Sequence, residues 1–243
     1  MSAGISRNDR CPCGSGAKFK RCCQEQLDNP AVLAERHVAV GSRIQEWAHE
    51  HHDDQIRAGI EELADGRQDL VLGDADLQLI SSWVMCDREL PDGETIAHRY
   101  AARADIAVDE RDIAKRIAAA RIALLKVVRV APGRSITMND LIARNEIVSV
   151  ASHDVSRSVK PGDVIVARIM DGPPAASLWG PVAFLDHQSG PRLQEVLTAQ
   201  IQSLNLARDD PASLATAMHA ASREITVALS PGLRPAPRDQ LAA

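Results

Sequence analysis

Cys11, Cys13, Cys22 and Cys23 hold four of the five thiols of the chain, spaced as Cys-x-Cys, eight residues, then a Cys-Cys pair. Thiols packed this closely read first as a metal site. Zinc takes four soft ligands in a tetrahedron, with zinc–sulfur bonds of about 2.3 Å. Gly14-Ser15-Gly16, between the two ligand pairs, lets the backbone turn sharply around a bound ion. Lys18, Lys20 and Arg21 lie in the same loop. Their charge offsets the double negative charge of a zinc tetrathiolate and favours the thiolate form that binds metal. A disulfide framework is the competing reading. The expectation here is metal, since the sequence shows no secretory signal and a chain of this length needs no staples. Four thiolates close the coordination sphere, which points to a structural rather than a catalytic ion.

The run from Asn8 to Gly16, followed by Lys18-Phe19-Lys20-Arg21-Cys22-Cys23, resembles the SEC-C motif. That motif is the zinc-binding tail of the preprotein translocase ATPase SecA and recurs in many otherwise unrelated bacterial proteins. The resemblance covers about residues 7–24 and implies Cys11, Cys13, Cys22 and Cys23 as the Zn2+ ligands. Cys23 stands where SecA usually has His, which keeps zinc and adds negative charge. Ala17 stands where the family often has Lys, removing part of a basic face. The similar module of SecA contacts the export chaperone SecB and the ribosome. The resemblance therefore implies a ribosome, nascent-chain or chaperone partner, met through Lys18, Lys20 and Arg21.

Other polar groups carry weaker signals. His49, His51, His52, Asp53 and Asp54 form the densest polar cluster outside the cysteines, with His49 and Asp53 one helical turn apart. No ligand set or supporting shell is visible around them, so a solvated helix end is the expectation. Ser152-His153-Asp154 has the residue types of a hydrolase triad. On a strand, however, neighbours point to opposite faces and form no relay. Arg157 and Lys160 outline a basic edge nearby. Cys86 reads as a small buried apolar residue, and Trp47, Trp83 and Trp179 as core or interface residues. No Walker loop, dinucleotide fingerprint or Gly-x-Ser-x-Gly elbow occurs. An enzyme of unknown reaction, with its site in the body of the chain, is the alternative to an interaction protein.

Charge separates the cysteine-rich segment from everything after it. Residues 1–26 carry +3, so a chain of net −5 leaves −8 on the rest. A basic module on an acidic body places any anionic partner, RNA included, at the module. No apolar run approaches the roughly 18 residues of a membrane span, and clustered thiols without a targeting segment suggest the cytoplasm.

Beyond the module, Asn29-Pro30 starts a helix with Leu33, Val40, Ile44 and Trp47 at helical spacing, and Gly41 threatens to bend it. A second helix passes Ile56, Ile60 and Leu63 and stops near Asp65-Gly66. A third begins around Asp74 with Leu77, Ile80 and Val84 on one face. Short helices are expected over 94–103 and from a cap at Asp109 to Arg121. Strands follow at 122–130, 135–139, 146–150, 164–170 and 178–185, separated by turns such as Pro132-Gly133 and Pro161-Gly162. Helices return at 192–206 and from Pro211 to about Leu229, and Pro231, Pro235 and Pro237 suggest a frayed tail. The expected fold is α+β. A zinc module (1–26) precedes a mostly helical region (27–121), a small antiparallel β barrel or sandwich segment (122–188), and C-terminal helices with a Pro-rich tail (189–243).

Overall fold

A computed structural model describes residues 6–11, 16–67, 70–143, 146–172, 175–186, 188–203 and 218–233. It is a mixed α+β structure: helices before and after one five-stranded sheet. A 3-10 turn at Phe19–Arg21 leads into α1 (Cys23–Asp28), an element the sequence reading did not anticipate.

The long helix α2 spans Pro30–Ala64 and starts with Pro30 as its first residue, although the Asn29 side chain makes no capping bond. The two expected helices are one, interrupted only at His52, whose backbone leaves helical geometry (φ −138°, ψ 23°). Gly41 does not break it. A Cβ there would stand 3.3 Å from the indole Nε1 of Trp179, so the missing side chain is what lets that ring lie against the helix. Asp65 in the left-handed conformation and Gly66 with φ +75° end it, at the stop the sequence marks.

Helix α3 (Asp74–Cys86) buries Ile80, Trp83 and Val84, but Leu77 faces solvent and Asp76 is buried in its place. The Asp76 carboxylate accepts from the backbone N–H of Gly73 and of Gly232. This bond docks the 3-10 turn Pro231–Leu233 against α3 and buries Leu233, so the part of the tail described here is packed rather than frayed. Helices α4 (Ile96–Ala101) and α5 (Val108–Ala118) follow. Asp109 lies in the first turn of α5 rather than at its cap, which is Ala107.

The sheet comprises β1 (Arg121–Ala131), β2 (Ser135–Asp140), β3 (Glu146–Ala151), β4 (Val164–Met170) and β5 (Ser177–Leu185). Four antiparallel ladders run β3-β2-β1-β4-β5. The sheet curls until β3 and β5 meet at one parallel pair, Ala151 with Ser177. The result is one five-stranded sheet in which the Ala151–Ser177 pair closes the strand order β1-β2-β3-β5-β4. A one-turn helix, α6 (Val155–Ser158), fills the β3–β4 connection. Inside the curl, Leu125, Val127, Ile136, Met138, Val150 and Ile165 pack on one another.

Helices α7 (Ser189–Ser203) and α8 (Ser222–Leu229) cover the sheet through Leu197, Ile201 and Ile225. Residues 204–206 of the first expected C-terminal helix and the expected start at Pro211 lie outside the described residues. One buried ion pair ties helices to sheet. Arg168 of β4 donates to the Asp87 carboxylate just after α3, to Ser82 Oγ at 2.8 Å and to the Ala120 carbonyl at 3.3 Å. Among the described residues no helix is long and apolar enough to cross a membrane.

Candidate metal centre

The cysteine segment folds back on itself through its backbone. Cys11 N–H donates to the Ala17 carbonyl at 2.8 Å, Phe19 N–H to the Asp9 carbonyl at 2.8 Å, and Lys20 N–H to the Arg7 carbonyl at 3.0 Å. These bonds and the Arg10–Lys18 bridge make a small two-stranded knuckle. The 3-10 turn after it returns the chain so that Cys22 and Cys23 come back to Cys11. The three sulfurs lie within 4.8 Å of one another. A tetrahedron with bonds of about 2.3 Å has edges of roughly 3.8 Å, so three corners of such a site are in place. Cys11 is 5 % and Cys23 2 % exposed, with Cys22 half-buried. Cys13, the fourth expected ligand, lies outside the described residues. Around the sulfurs, Lys18 and Arg21 are exposed and Lys20 is half-buried. Among the described residues this is the one group that brings three or more metal-ligating side chains together.

A SEC-C motif matches residues 7–25, which enclose the whole knuckle. A second model, a family of unknown function (DUF7986), matches residues 43–226, about three quarters of the chain. The chain belongs to the DUF7986 family. No curated protein and no solved structure matches it significantly. The DUF7986 match begins within α2 and runs through the sheet to α8.

Within the DUF7986 region the other polar clusters sort differently. His49 Nδ1 stands 3.6 Å from Asp53 Oδ1, the one-turn pairing that spacing suggests, and Arg57 bonds the same carboxylate. His51 stacks on Trp47 and His52 meets the same ring edge-on, at 5.1 and 4.9 Å between centroids. This cluster lines an open cavity of about 710 Å3 beside the kink of α2, with Asp92 and Arg99 opposite. The His52 imidazolium is disfavoured by burial and by nearby Arg99 and His51, so its pKa is lowered.

His153 and Asp154 do pair, at 2.7 Å between Nδ1 and Oδ1. The expectation that neighbours there cannot meet fails because β3 ends at Ala151 and the two residues sit in a bend, free of strand alternation. Cys86 is buried, and burial pushes its thiol up to about 12, which suits an apolar filler rather than a nucleophile. Trp83 and Trp179 are buried and Trp47 is half-buried.

Sequence reasoning missed His37. It is 3 % exposed, its Nδ1 lies 3.4 Å from Ser177 Oγ, and its Nε2 has no hydrogen-bond partner. Burial, followed by the fields of Arg116 and Arg36, holds its pKa down to about 4. The signal was present in the spacing: Leu33, His37, Val40 and Ile44 recur every three or four residues, which puts His37 in the buried stripe.

Proposed function

We propose that residues 7–25 form a structural zinc module, with Cys11, Cys13, Cys22 and Cys23 as its ligands, and that the module is the docking element of an interaction protein. The observation behind this reading is the convergence of the Cys11, Cys22 and Cys23 sulfurs within 4.8 Å, inside a SEC-C match. Zinc would supply the folding energy that so small a segment lacks. Lys18, Lys20 and Arg21 would then present a fixed basic face to an anionic partner, the ribosome or an export chaperone being the partners that fit the SecA resemblance. On this reading the module sets where the protein goes, and the DUF7986 region acts there.

The test is affinity capture from lysate with metal analysis of the bait. Wild type is expected to hold one zinc per chain and to recover ribosomes or a chaperone. Cys22→Ser/Cys23→Ser is expected to lose both the zinc and the partners. A triple Lys18→Glu/Lys20→Glu/Arg21→Glu variant that keeps its zinc should lose the partners alone. Equal recovery by all three proteins would sink the docking reading.

A further inference from the structure

A second basic surface lies away from the cysteine knuckle, on the sheet. In β2, Ile136, Met138 and Asp140 point inward and are buried, so Ser135, Thr137 and Asn139 face outward. Lys126 pairs with Asn139 and Arg129 with Thr137. The register shift between Val127 and Arg129 puts these two cations on the same outer face, both exposed. Thr137 is in turn opposite Ser149 of β3, the hydroxyls 3.3 Å apart, so a row of hydroxyls continues outward from Arg129.

The end of the sheet adds three more cations. Arg134 is in the β1–β2 turn, and its carbonyl accepts from Ser152 N–H at 3.0 Å, which draws the start of the β3–α6 connection against the turn. Gly133 N–H donates to Ser156 Oγ at 2.8 Å, seating α6 there, and the Arg157 guanidinium lies over Gly133. Gly162 N–H donates to the Val127 carbonyl at 2.9 Å, which brings Lys160 beside β1.

Three acids lie near this face, and none pairs with a cation of it. Asp140 is buried against Arg121 at 2.6 Å, Asp154 pairs with His153, and Asp163 accepts from the Lys160 backbone N–H at 2.8 Å. Lys126, Arg129, Arg134, Arg157 and Lys160 have no ion-pair partner among the described residues, in a body whose net charge is −8.

We infer that this face binds the phosphate backbone of a nucleic-acid duplex. Three of the five cations are arginines, whose planar fork takes phosphate oxygens two at a time. Strands β1, β2 and β3 contain no aromatic residue, so unstacked bases of a single strand have no platform here. Regularly spaced phosphates, met by cations and hydroxyls, are what the face offers to bind.

Binding of a fluorescent 20-base-pair RNA duplex, followed by anisotropy across a salt series, tests this. A DNA duplex of the same sequence, the corresponding single strand and poly-glutamate are the comparison probes. Wild type is expected to bind the duplexes more tightly than the single strand. Arg129→Glu/Arg134→Glu/Arg157→Glu is expected to weaken duplex binding by about tenfold or more, and to flatten the salt dependence by roughly three phosphate contacts. A milder Lys126→Gln/Arg129→Gln pair, checked for native circular dichroism, should move in the same direction. Lys18→Glu/Lys20→Glu/Arg21→Glu should leave a substantial share of duplex binding, which separates this face from the zinc module. No duplex binding by wild type, duplex binding unchanged in both sheet variants, or tighter binding of poly-glutamate than of duplex would overturn the inference.

Discussion

His37 shows how one side chain can set the pH response of the fold. Its pKa is about 4 in the folded chain, against 6.5 when unperturbed. Above pH 6.5 the imidazole is neutral folded or unfolded, and pH does nothing through it. As pH falls from 6.5 to 4 the unfolded chain takes up a proton that the folded chain refuses, so stability falls. Complete, the loss is about 3 kcal/mol. Urea unfolding at pH 7 and pH 4.5 should show wild type losing more stability on acidification than His37→Gln, since carboxylate contributions are common to both. An identical acid loss in the two proteins would mean that His37 titrates normally. At the same scale the cysteines were legible because their chemistry is written in residue type and spacing alone. His37 was not, because its significance lies in Ser177, 140 positions away, which only the folded chain brings within 3.4 Å.

Helices α2 and α3 meet at Gly59, where a Cβ would stand 2.7 Å from Val84 Cγ2 and 3.0 Å from Arg88 Cδ. In an exposed helix, Gly→Ala would gain about 1 kcal/mol. Here overpacking against a buried Val costs about 1–3 kcal/mol. Gly59→Ala is therefore expected to lower the melting temperature, and a rise would show that α3 yields more easily than its packing suggests. Turn chemistry and apolar runs made the strands readable, and β4 occupies the span expected for it. Two things at this scale were not readable. The polar run at 49–54 reads as a helix end, whereas α2 continues through it with only a kink at His52. Leu77 and Asp76 exchange their expected places because the partner that buries Asp76, the turn at Gly232, comes from more than 150 residues downstream.

For the whole molecule, the cysteine knuckle is held by its own backbone bonds, whereas the body has four buried apolar clusters that do not depend on a metal. Chelation of the proposed zinc should therefore strip amide protection from the knuckle and α1 while the sheet keeps its protection, as read by hydrogen exchange. Loss of protection across β1–β5 on chelation would show that the two parts fold as one. How the helices and sheet are joined was beyond the reach of local pattern, because the Arg168–Asp87 pair links positions 81 residues apart. The lone contact between β3 and β5 has its own bearing on solution behaviour. Apart from Ala151 and Ser177, no described residues of β3 and β5 pair with each other, and the space beside the join is lined by Leu33 and His37 of α2 and by Ser152 and Val155. A sheet joined to itself by a single pair parts there more readily than along a full ladder. Amide exchange at Ala151, whose N–H donates to the Ala176 carbonyl across this join, is therefore expected to be faster than along the β1–β2 and β1–β4 ladders.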